Sequence, residues 1–411
     1  MNHKVSFELM KQANVSLIME CIREKGPISR ADIAQITGLT PASVSKITKN
    51  LISNDYIKEH GYGQSSGGRP PVLLELNAAA GYIIGVDLGP EILEVSITDL
   101  EANVLISNNE DLENLEQNFV LDELMNLIRL TMEASKIDKK EVIGIGMAVH
   151  GLVNSETGIS IFAPHYHWKE VPIKEIIEDE FGLPTFIDND VRAMALGERW
   201  FGRAQKSDNF ITVNVSNGIG SGIVIDGELY QGTNYSAGEI GHIVVDNDGP
   251  QCSCGNYGCL ESLASNPKIV KRARKLIKQG AQSKISTLVD NNLDEITVTD
   301  ICKAANEEDE VALEVLKETG RYLGMGLAYL INILNPELII IVGKIVKSKD
   351  NIFQYIEEVI ESKALEVPAK RVNIVATALG EQAATIGGVT LVLRELFTGP
   401  ELLEDKSETK T

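Results

Sequence analysis

The sequence predicts an α/β protein in two parts, a small, mainly helical head and a large body of two similar halves. Three observations carry this prediction. Within residues 1–80, short amphipathic helical stretches are punctuated by Gly and Pro stops. Beyond them, buried strands run into glycine-rich or acidic turns and are followed by amphipathic helices, and this pattern occurs twice. With 411 residues, 43% of them hydrophobic, and no long apolar run, the chain can hold more than one core and reads as soluble.

In the head, Asn14 is placed to cap a helix whose apolar positions Leu17, Ile18, Cys21 and Ile22 recur at helical spacing, and Gly26-Pro27 ends it. Ser29 starts a second helix with Asp32 three residues on, an aspartate form of the capping box. Ile33, Ala34 and Ile36 are expected to face inward before Gly38 stops that helix. Thr40 caps a third helix with Pro41 at its first position. Two short helices joined by a Gly turn read as a helix-turn-helix. Val44, Ile47 and Leu51 form the inner stripe of the third helix, which leaves Ala42, Ser43, Ser45, Lys46 and Lys49 outside. With Ser29, Arg30 and Thr40, they make a small, polar and basic face suited to a DNA major groove. An ordinary three-helix core with a wet face gives the same pattern, so the next residues matter. Tyr56-Ile57-Lys58 and Val72–Leu76 read as a hairpin whose tip presents Arg69 between Gly68 and Pro70, a shape suited to a narrow minor groove. The head is therefore expected to be a winged helix-turn-helix with double-stranded operator DNA as its partner.

Charge agrees with this division. The chain carries a net charge of -21, yet residues 1–80 hold nine Lys and Arg against seven Asp and Glu, so a mildly basic head sits on an acidic body. No charged-then-apolar leader with a cleavage site is visible, which predicts a cytoplasmic protein with no membrane partner.

In the body, a strand over residues 82–86 runs into Asp87-Leu88-Gly89-Pro90, and a second follows over 93–98. A helix over about residues 119–135 precedes the strand Val142–Val149, which ends in His150-Gly151. A short strand over 185–187 delivers Asp188-Asn189-Asp190 to its carboxyl end, where α/β proteins place ligands, and a helix over 191–200 follows. The second half repeats the outline with the strand Phe210–Val215, a glycine-rich turn over 216–222 and a returning strand over 223–225. A helix near 311–333, the strand Leu338–Val342 and a helix over about 382–397 complete it. Two such halves imply a cleft.

The densest chemistry lies in the stretch GEIGHIVVDNDGPQCSCGNYGCLE, residues 238–261. His242, Cys252, Cys254 and Cys259 are a closed set of one imidazole and three thiolates, suited to a tetrahedral structural zinc. The alternatives are a disulfide or plain buried thiols, but Cys252 and Cys254 are too close in sequence to bridge without strain. Glu239 and Glu261 flank the ligands; each reads either as a solvated surface acid or as a carboxylate held in place by the metal, next to a hydroxyl-rich ligand. Cys21 and Cys302 sit in helical apolar patterns and read as core thiols.

On the motif GEIGH…CSCGNYGCLE, and on Asn189-Asp190 within DNDVRAMALGE, the chain resembles over essentially its whole length the ROK family of sugar kinases and sugar-responsive repressors. The layout is similar to the family's xylose-repressor and NagC-type regulators. The resemblance implies a two-lobed, actin-like ATPase fold with structural zinc behind the head. Residues 1–78 would be the DNA-binding domain, 79–190 with 382–400 the first lobe, and 191–381 the second, zinc-bearing lobe. It also implies that Gly151, Asn189, Asp190, Glu239, His242 and Glu261 contact sugar hydroxyls, with Asp190 in the place of the family's general base.

Family kinases carry Asp-x-Gly-Gly-Thr in the first phosphate loop, whereas this chain has Asp87-Leu88-Gly89-Pro90-Glu91. Pro90 has no N–H to donate, and Glu91 puts a carboxylate where a polyphosphate should sit. The second loop has Ser216-Asn217 for the family's Gly-Thr, and the third, at Val342-Gly343-Lys344, lacks a paired glycine. ATP is therefore not expected, and Asp190 is read as a vestigial base. His165 and His167 lie where relatives often have an asparagine near the sugar, and packing beside Trp168 stays open for them. The resulting expectation is a non-enzymatic repressor of xylose-utilisation genes, a homodimer or dimer of dimers, released from its operator by a monosaccharide, xylose first and glucose second. A sugar kinase and an activator of the same architecture are the alternatives.

Overall fold

The structure, a computed structural model, describes residues 2–64 and 70–398. Arg69 lies outside the described residues.

The first helix of the head spans Asn2–Lys25, so Asn14 lies inside it and caps nothing. No Gly or Pro stands among residues 2–25 to stop the helix from propagating through that position. Ile18, Met19, Cys21 and Ile22 are buried, while Leu17 is exposed. The second helix, Arg30–Thr37, has Ser29 as N-cap, with the Asp32 N–H donating to its Oγ, and ends at Gly38 with φ 69°. Two turns are too short to bury three positions, and Ile33 alone is fully covered while Ile36 is exposed. The third helix, Pro41–Ser53, is capped by Thr40, which accepts from the Ser43 N–H. Val44, Thr48 and Leu51 form its inner stripe, with Ile47 half-buried. The strands Ile28–Ser29, Val72–Leu76 and Ile57–Tyr62 complete the wing as a three-stranded antiparallel sheet with Val72–Leu76 in the middle.

The body contains two five-stranded sheets of the same design. In the first the spatial order is Thr185–Asn189, Val142–Val149, Tyr82–Leu88, Ile92–Thr98, Val104–Asp111. In the second it is Asn373–Ala376, Leu338–Val342, Phe210–Val215, Ile219–Ile225, Glu228–Tyr230. Each begins as an antiparallel meander of three strands and adds two more after helical crossovers, so each sheet runs 5-4-1-2-3 in its own chain order. The duplicated outline expected from the sequence is thus present, although the outer meander strands Val104–Asp111 and Glu228–Tyr230 carry no strong apolar signal.

Compactness divides the chain into two units. One takes the residues up to Met147, Pro172–Ile187 and those from Gly388 on, and the other takes Ala148–Val171 and Asp188–Gly387. Residues 148–171, 188–190 and 382–387, expected with the first lobe, therefore pack with the second unit. The cause is local: the strands Leu152–Asn154, Ile159–Ala163 and Trp168–Val171 form a small antiparallel sheet, and Asn189 and Arg192 bond to backbone carbonyls at its first strand and the turn before it.

The second unit's core centres on the helix Glu310–Leu334, the longest among the described residues, packed against Lys349–Lys363. The two axes approach closely because Gly320 and Gly324 carry no side chain. A Cβ at Gly324 would sit 2.7 Å from the Cβ of Val359, and one at Gly320 2.6 Å from that of Tyr355.

Candidate functional site

A pocket of about 530 Å³ lies wholly within the second unit. Its walls come from the turn after Val142–Val149, the start of the helix Asp190–Trp200, the turn into Ile219–Ile225 and the segment 235–242. Gly151, Asn189, Asp190, Glu239, His242 and Glu261 all line it, so the fold gathers every residue that the resemblance assigns to a sugar. Gly151 has φ 98°, and a Cβ there would lie 2.4 Å from the Phe162 carbonyl oxygen, so only glycine fits.

Asn189 caps the helix Asp190–Trp200. Its Oδ1 accepts from the Val191 N–H at 3.0 Å and the Arg192 N–H at 3.1 Å. Its Nδ2 donates to the Gly151 carbonyl at 2.9 Å and to Asp190 Oδ1 at 2.8 Å. The amide's two donors and two acceptor sites are then all committed inside the protein. Asn189 therefore positions Gly151 and Asp190 in the pocket wall. Asp190 Oδ1 also accepts from the Val191 N–H, and its Oδ2 lies 3.8 Å from His150 Nδ1.

Behind this wall lies an ion pair that the sequence reading did not single out. Arg192 and Asp188 are both buried, with Arg192 Nε donating to Asp188 Oδ1 at 2.7 Å. The guanidinium also donates to the carbonyls of Val153, at 2.8 Å, and Tyr235, so one side chain joins three segments around the pocket. The i,i+4 spacing of Asp188 and Arg192 in DNDVRAM was the available signal.

Opposite, Glu261 Oε2 accepts from the Ile219 N–H at 3.2 Å, and Glu239 Oε2 lies 3.9 Å from His242 Nε2. Partial withdrawal from solvent pushes the Glu239 carboxyl up; His242 opposes this, while Asp190 and Glu261 add to it. Three carboxylates around one pocket favour a ligand rich in hydroxyl donors.

Next to the pocket, the ligand atoms of His242, Cys252, Cys254 and Cys259 all lie within 4.8 Å of one another. A tight turn shapes the loop, with the Cys252 N–H donating to the Asn256 carbonyl at 2.8 Å and the Gly255 N–H to the Cys252 carbonyl at 2.9 Å. Cys254 Sγ is 3.7 Å from Cys259 Sγ, and Cys252 Sγ is 3.6 Å from His242 Nδ1. A tetrahedral ion with metal–sulfur bonds of about 2.3 Å and metal–nitrogen bonds of about 2.0–2.1 Å requires separations of roughly 3.8 and 3.5 Å. The donor set therefore fits such an ion. Burial, with the adjacent thiols adding to it, pushes the Cys259 thiol up to about 12, a value that a bound cation would reverse.

In the head, Ala42, Ser45, Lys46 and Lys49 are exposed on the third helix, and Ser43 is half-buried with its hydroxyl against that of Thr40 at 2.9 Å. Of Ser29 and Arg30, grouped with this face from sequence, the first is turned inward and the second is half-exposed and held by neighbours in the head. Ser29 is buried in its capping role, and Arg30 Nε donates to Thr48 Oγ1 at 3.1 Å while its Nη2 lies 3.6 Å from Glu59.

A winged helix-turn-helix carried by a duplicated α/β body, with a carboxylate-lined pocket beside a Cys3His cluster, defines a DNA-binding regulator built on a sugar-kinase type of scaffold. The model of the ROK family matches residues 83–395, and that of winged helix-turn-helix DNA-binding domains matches residues 14–58. The chain belongs to the ROK family. It is 34% identical over 394 residues to the xylose repressor of Caldicellulosiruptor bescii, covering 96% of this chain and 98% of that one. It is 36% identical over 392 residues to the DNA-binding transcriptional dual regulator NagC of Escherichia coli K12, covering 95% of each. Among solved structures, a ROK family transcriptional regulator described as a homologue of the E. coli MLC protein superposes with a TM-score of 0.84 at 37% identity, over 96% of this chain and 98% of the other. Among the described residues, no helix is long and apolar enough to cross a membrane.

Proposed function

We propose that this protein is a transcriptional repressor that leaves its operator when a monosaccharide fills the pocket. The observation that carries the reading is the conjunction, in one chain, of a winged helix-turn-helix with a pocket lined by Asp190, Glu239, His242 and Glu261. Both relatives named above are regulators, one of them a xylose repressor. D-xylose is the first candidate effector and D-glucose the second, with N-acetylglucosamine included because a further relative is an N-acetylglucosamine repressor.

In this reading Asp190, Glu239 and Glu261 accept protons from sugar hydroxyls. His242 would hold zinc through Nδ1 and turn Nε2 toward the sugar, so that Cys252, Cys254 and Cys259 brace the pocket wall through the metal. The zinc supplies rigidity and fixes the imidazole tautomer. Sugar binding changes the spacing of two heads in a dimer, and operator affinity falls because half-sites and heads no longer match. Lys46 and Lys49 contact phosphates or bases, and Arg69 reaches the minor groove.

The absence of kinase activity is part of the same proposal. The turn after Tyr82–Leu88 has Pro90, which lacks an N–H, and exposed Glu91, which would repel a polyphosphate. Thermal-shift measurements with D-xylose, D-glucose and N-acetylglucosamine test the pocket. One of them is expected to raise the melting temperature in proportion to the logarithm of its concentration, with the shift lost in Glu239→Gln. No shift with any of the three at millimolar concentration contradicts the proposal. ADP release dependent on any of these sugars contradicts its non-enzymatic part.

A further inference from the structure

A carboxylate and a glycine meet at the turn between Phe210–Val215 and Ile219–Ile225. Glu261 lies in the first turn of the short helix Leu260–Ala264, and both of its oxygens are engaged. Oε2 accepts from the Ile219 N–H at 3.2 Å, and Oε1 accepts from Ser253 Oγ in a longer bond of 3.4 Å. Gly218, directly before Ile219, sits against the same carboxylate. A Cβ at 218 would stand 2.9 Å from Glu261 Oε2. Apart from Glu261 Cδ at 3.9 Å, and leaving out its chain neighbours, it would meet nothing else within 4 Å among the described residues.

The turn is fixed on both sides. The Ser216 N–H donates to the Gly218 carbonyl at 2.9 Å, and the Asn266 N–H donates to the Ser216 carbonyl at 2.8 Å. Antiparallel pairing sets Val215 opposite Ile219 and Asn214 opposite Gly220. A methyl group at 218 would therefore displace the end of the Glu261 side chain, which is flexible, and not the backbone. Gly222, in the strand that follows, is different. A Cβ there would lie 2.6 Å from the Val191 carbonyl oxygen and 2.7 Å from Ala195 Cβ, so the packing of the helix Asp190–Trp200 requires that glycine.

We propose that Gly218 is a positioning residue for the ligand: by carrying no side chain it lets the Glu261 carboxylate rest on the turn, which fixes where that acceptor meets a sugar hydroxyl. This rests on the reading of the pocket as a sugar site. With alanine at 218 the carboxylate has to withdraw by about half an ångström to reach ordinary contact, and its bond from the Ile219 N–H stretches or breaks. The fold tolerates this because only the end of one side chain moves. The ligand does not, since a sugar held at the same time by Asp190 and Glu239 cannot follow the displaced acceptor. Gly218, in the second of the loops that hold phosphate in family kinases, is thereby accounted for by a carboxylate of the protein itself.

The test is calorimetric titration of the full, zinc-loaded chain with D-xylose, D-glucose and N-acetylglucosamine. Gly218→Ala is expected to weaken the tightest of the three by roughly tenfold or more, while zinc content and melting without sugar stay at the wild-type values. Added to Glu261→Asp, whose shorter side chain no longer reaches the methyl, the same change costs less than roughly twofold. Hydrogen exchange without sugar gives a second reading: the Ile219 amide should exchange roughly fivefold or more faster in Gly218→Ala and in Glu261→Asp than in wild type. Wild-type affinity in Gly218→Ala, an equal loss in both backgrounds, or an unchanged Ile219 amide overturns the positioning role and leaves the sugar site standing. A lowered melting temperature in Gly218→Ala overturns it too, because the backbone has then yielded and not the carboxylate. Wild type that binds none of the three sugars overturns the sugar site, while the exchange measurement still decides whether Gly218 seats Glu261.

Discussion

Asn189 lines the pocket and at the same time ties three parts of its wall together. It caps a helix, anchors the Gly151 carbonyl and holds Asp190 Oδ1. Replacing it with alanine removes a cap worth about 1 kcal/mol together with the Gly151 tie. The expected outcome is a loss of about 1–3 kcal/mol in urea unfolding alongside weakened sugar binding. Unchanged stability with abolished binding would make Asn189 a direct ligand instead. Asn189 and Asp190 are legible in sequence because they follow a strand and open a helix. Their division of labour is not, since it depends on Gly151, 38 residues earlier in the chain. The same holds for His150 and His165, which only the fold brings together.

Glu198 gives a residue-scale pH prediction. It is fully buried, and burial pushes its carboxyl up, against bonds from Thr377 Oγ1 and the Arg203 N–H that pull it down. A raised acid favours the folded state when protonated. Its contribution is complete below the unfolded value of about 4.3 and disappears as pH rises through the higher folded value. Glu198→Gln should therefore lessen the fall in melting temperature as pH rises above about 4.3. Two superimposable profiles would show that the neighbouring bonds cancel the burial.

At the scale of elements, caps and stops are the readable features. Ser29, Gly38, Thr40 and Pro41 bound the second and third helices as expected. Asn14 misleads because a residue able to cap does so only where the preceding chain leaves the helix, and residues 2–13 do not. The small sheet formed by Leu152–Asn154, Ile159–Ala163 and Trp168–Val171 escapes a sequence reading because its strands are short and its pairing is set by the neighbouring pocket wall. The metal loop is legible from spacing alone, since four soft donors within 18 residues leave few other uses. Elemental analysis should find one zinc per chain, and Cys259→Ser should reduce it to none and lower the melting temperature. A full complement of metal in that variant would exclude Cys259 as a ligand. On the third helix of the head, Lys46→Ala or Lys49→Ala is expected to weaken DNA binding and to reduce the slope of log affinity against log salt by about 1 for each phosphate that is no longer neutralised. An unchanged slope for both would move the DNA face elsewhere.

At the scale of the whole molecule, the two five-stranded sheets with the same internal order explain why the body reads twice in sequence. The second repeat has grown: the metal loop and the helices over 260–306 are inserted between its meander and its crossover helix. From this stretch, Glu239, His242, Ser253 and Glu261 line the pocket. The acidic body and the mildly basic head suit a sensor that is held on DNA by the head alone.

The central claim is that occupation of this pocket governs DNA binding. The direct measurement is fluorescence anisotropy of a labelled duplex, selected for tight binding from a random pool, as D-xylose, D-glucose or N-acetylglucosamine is added to the zinc-loaded protein. One of the sugars is expected to lower DNA affinity by roughly tenfold or more, a coupling of about 1.4 kcal/mol, in wild type but not in Glu239→Gln. An affinity for DNA that stays constant through millimolar concentrations of all three would contradict the account.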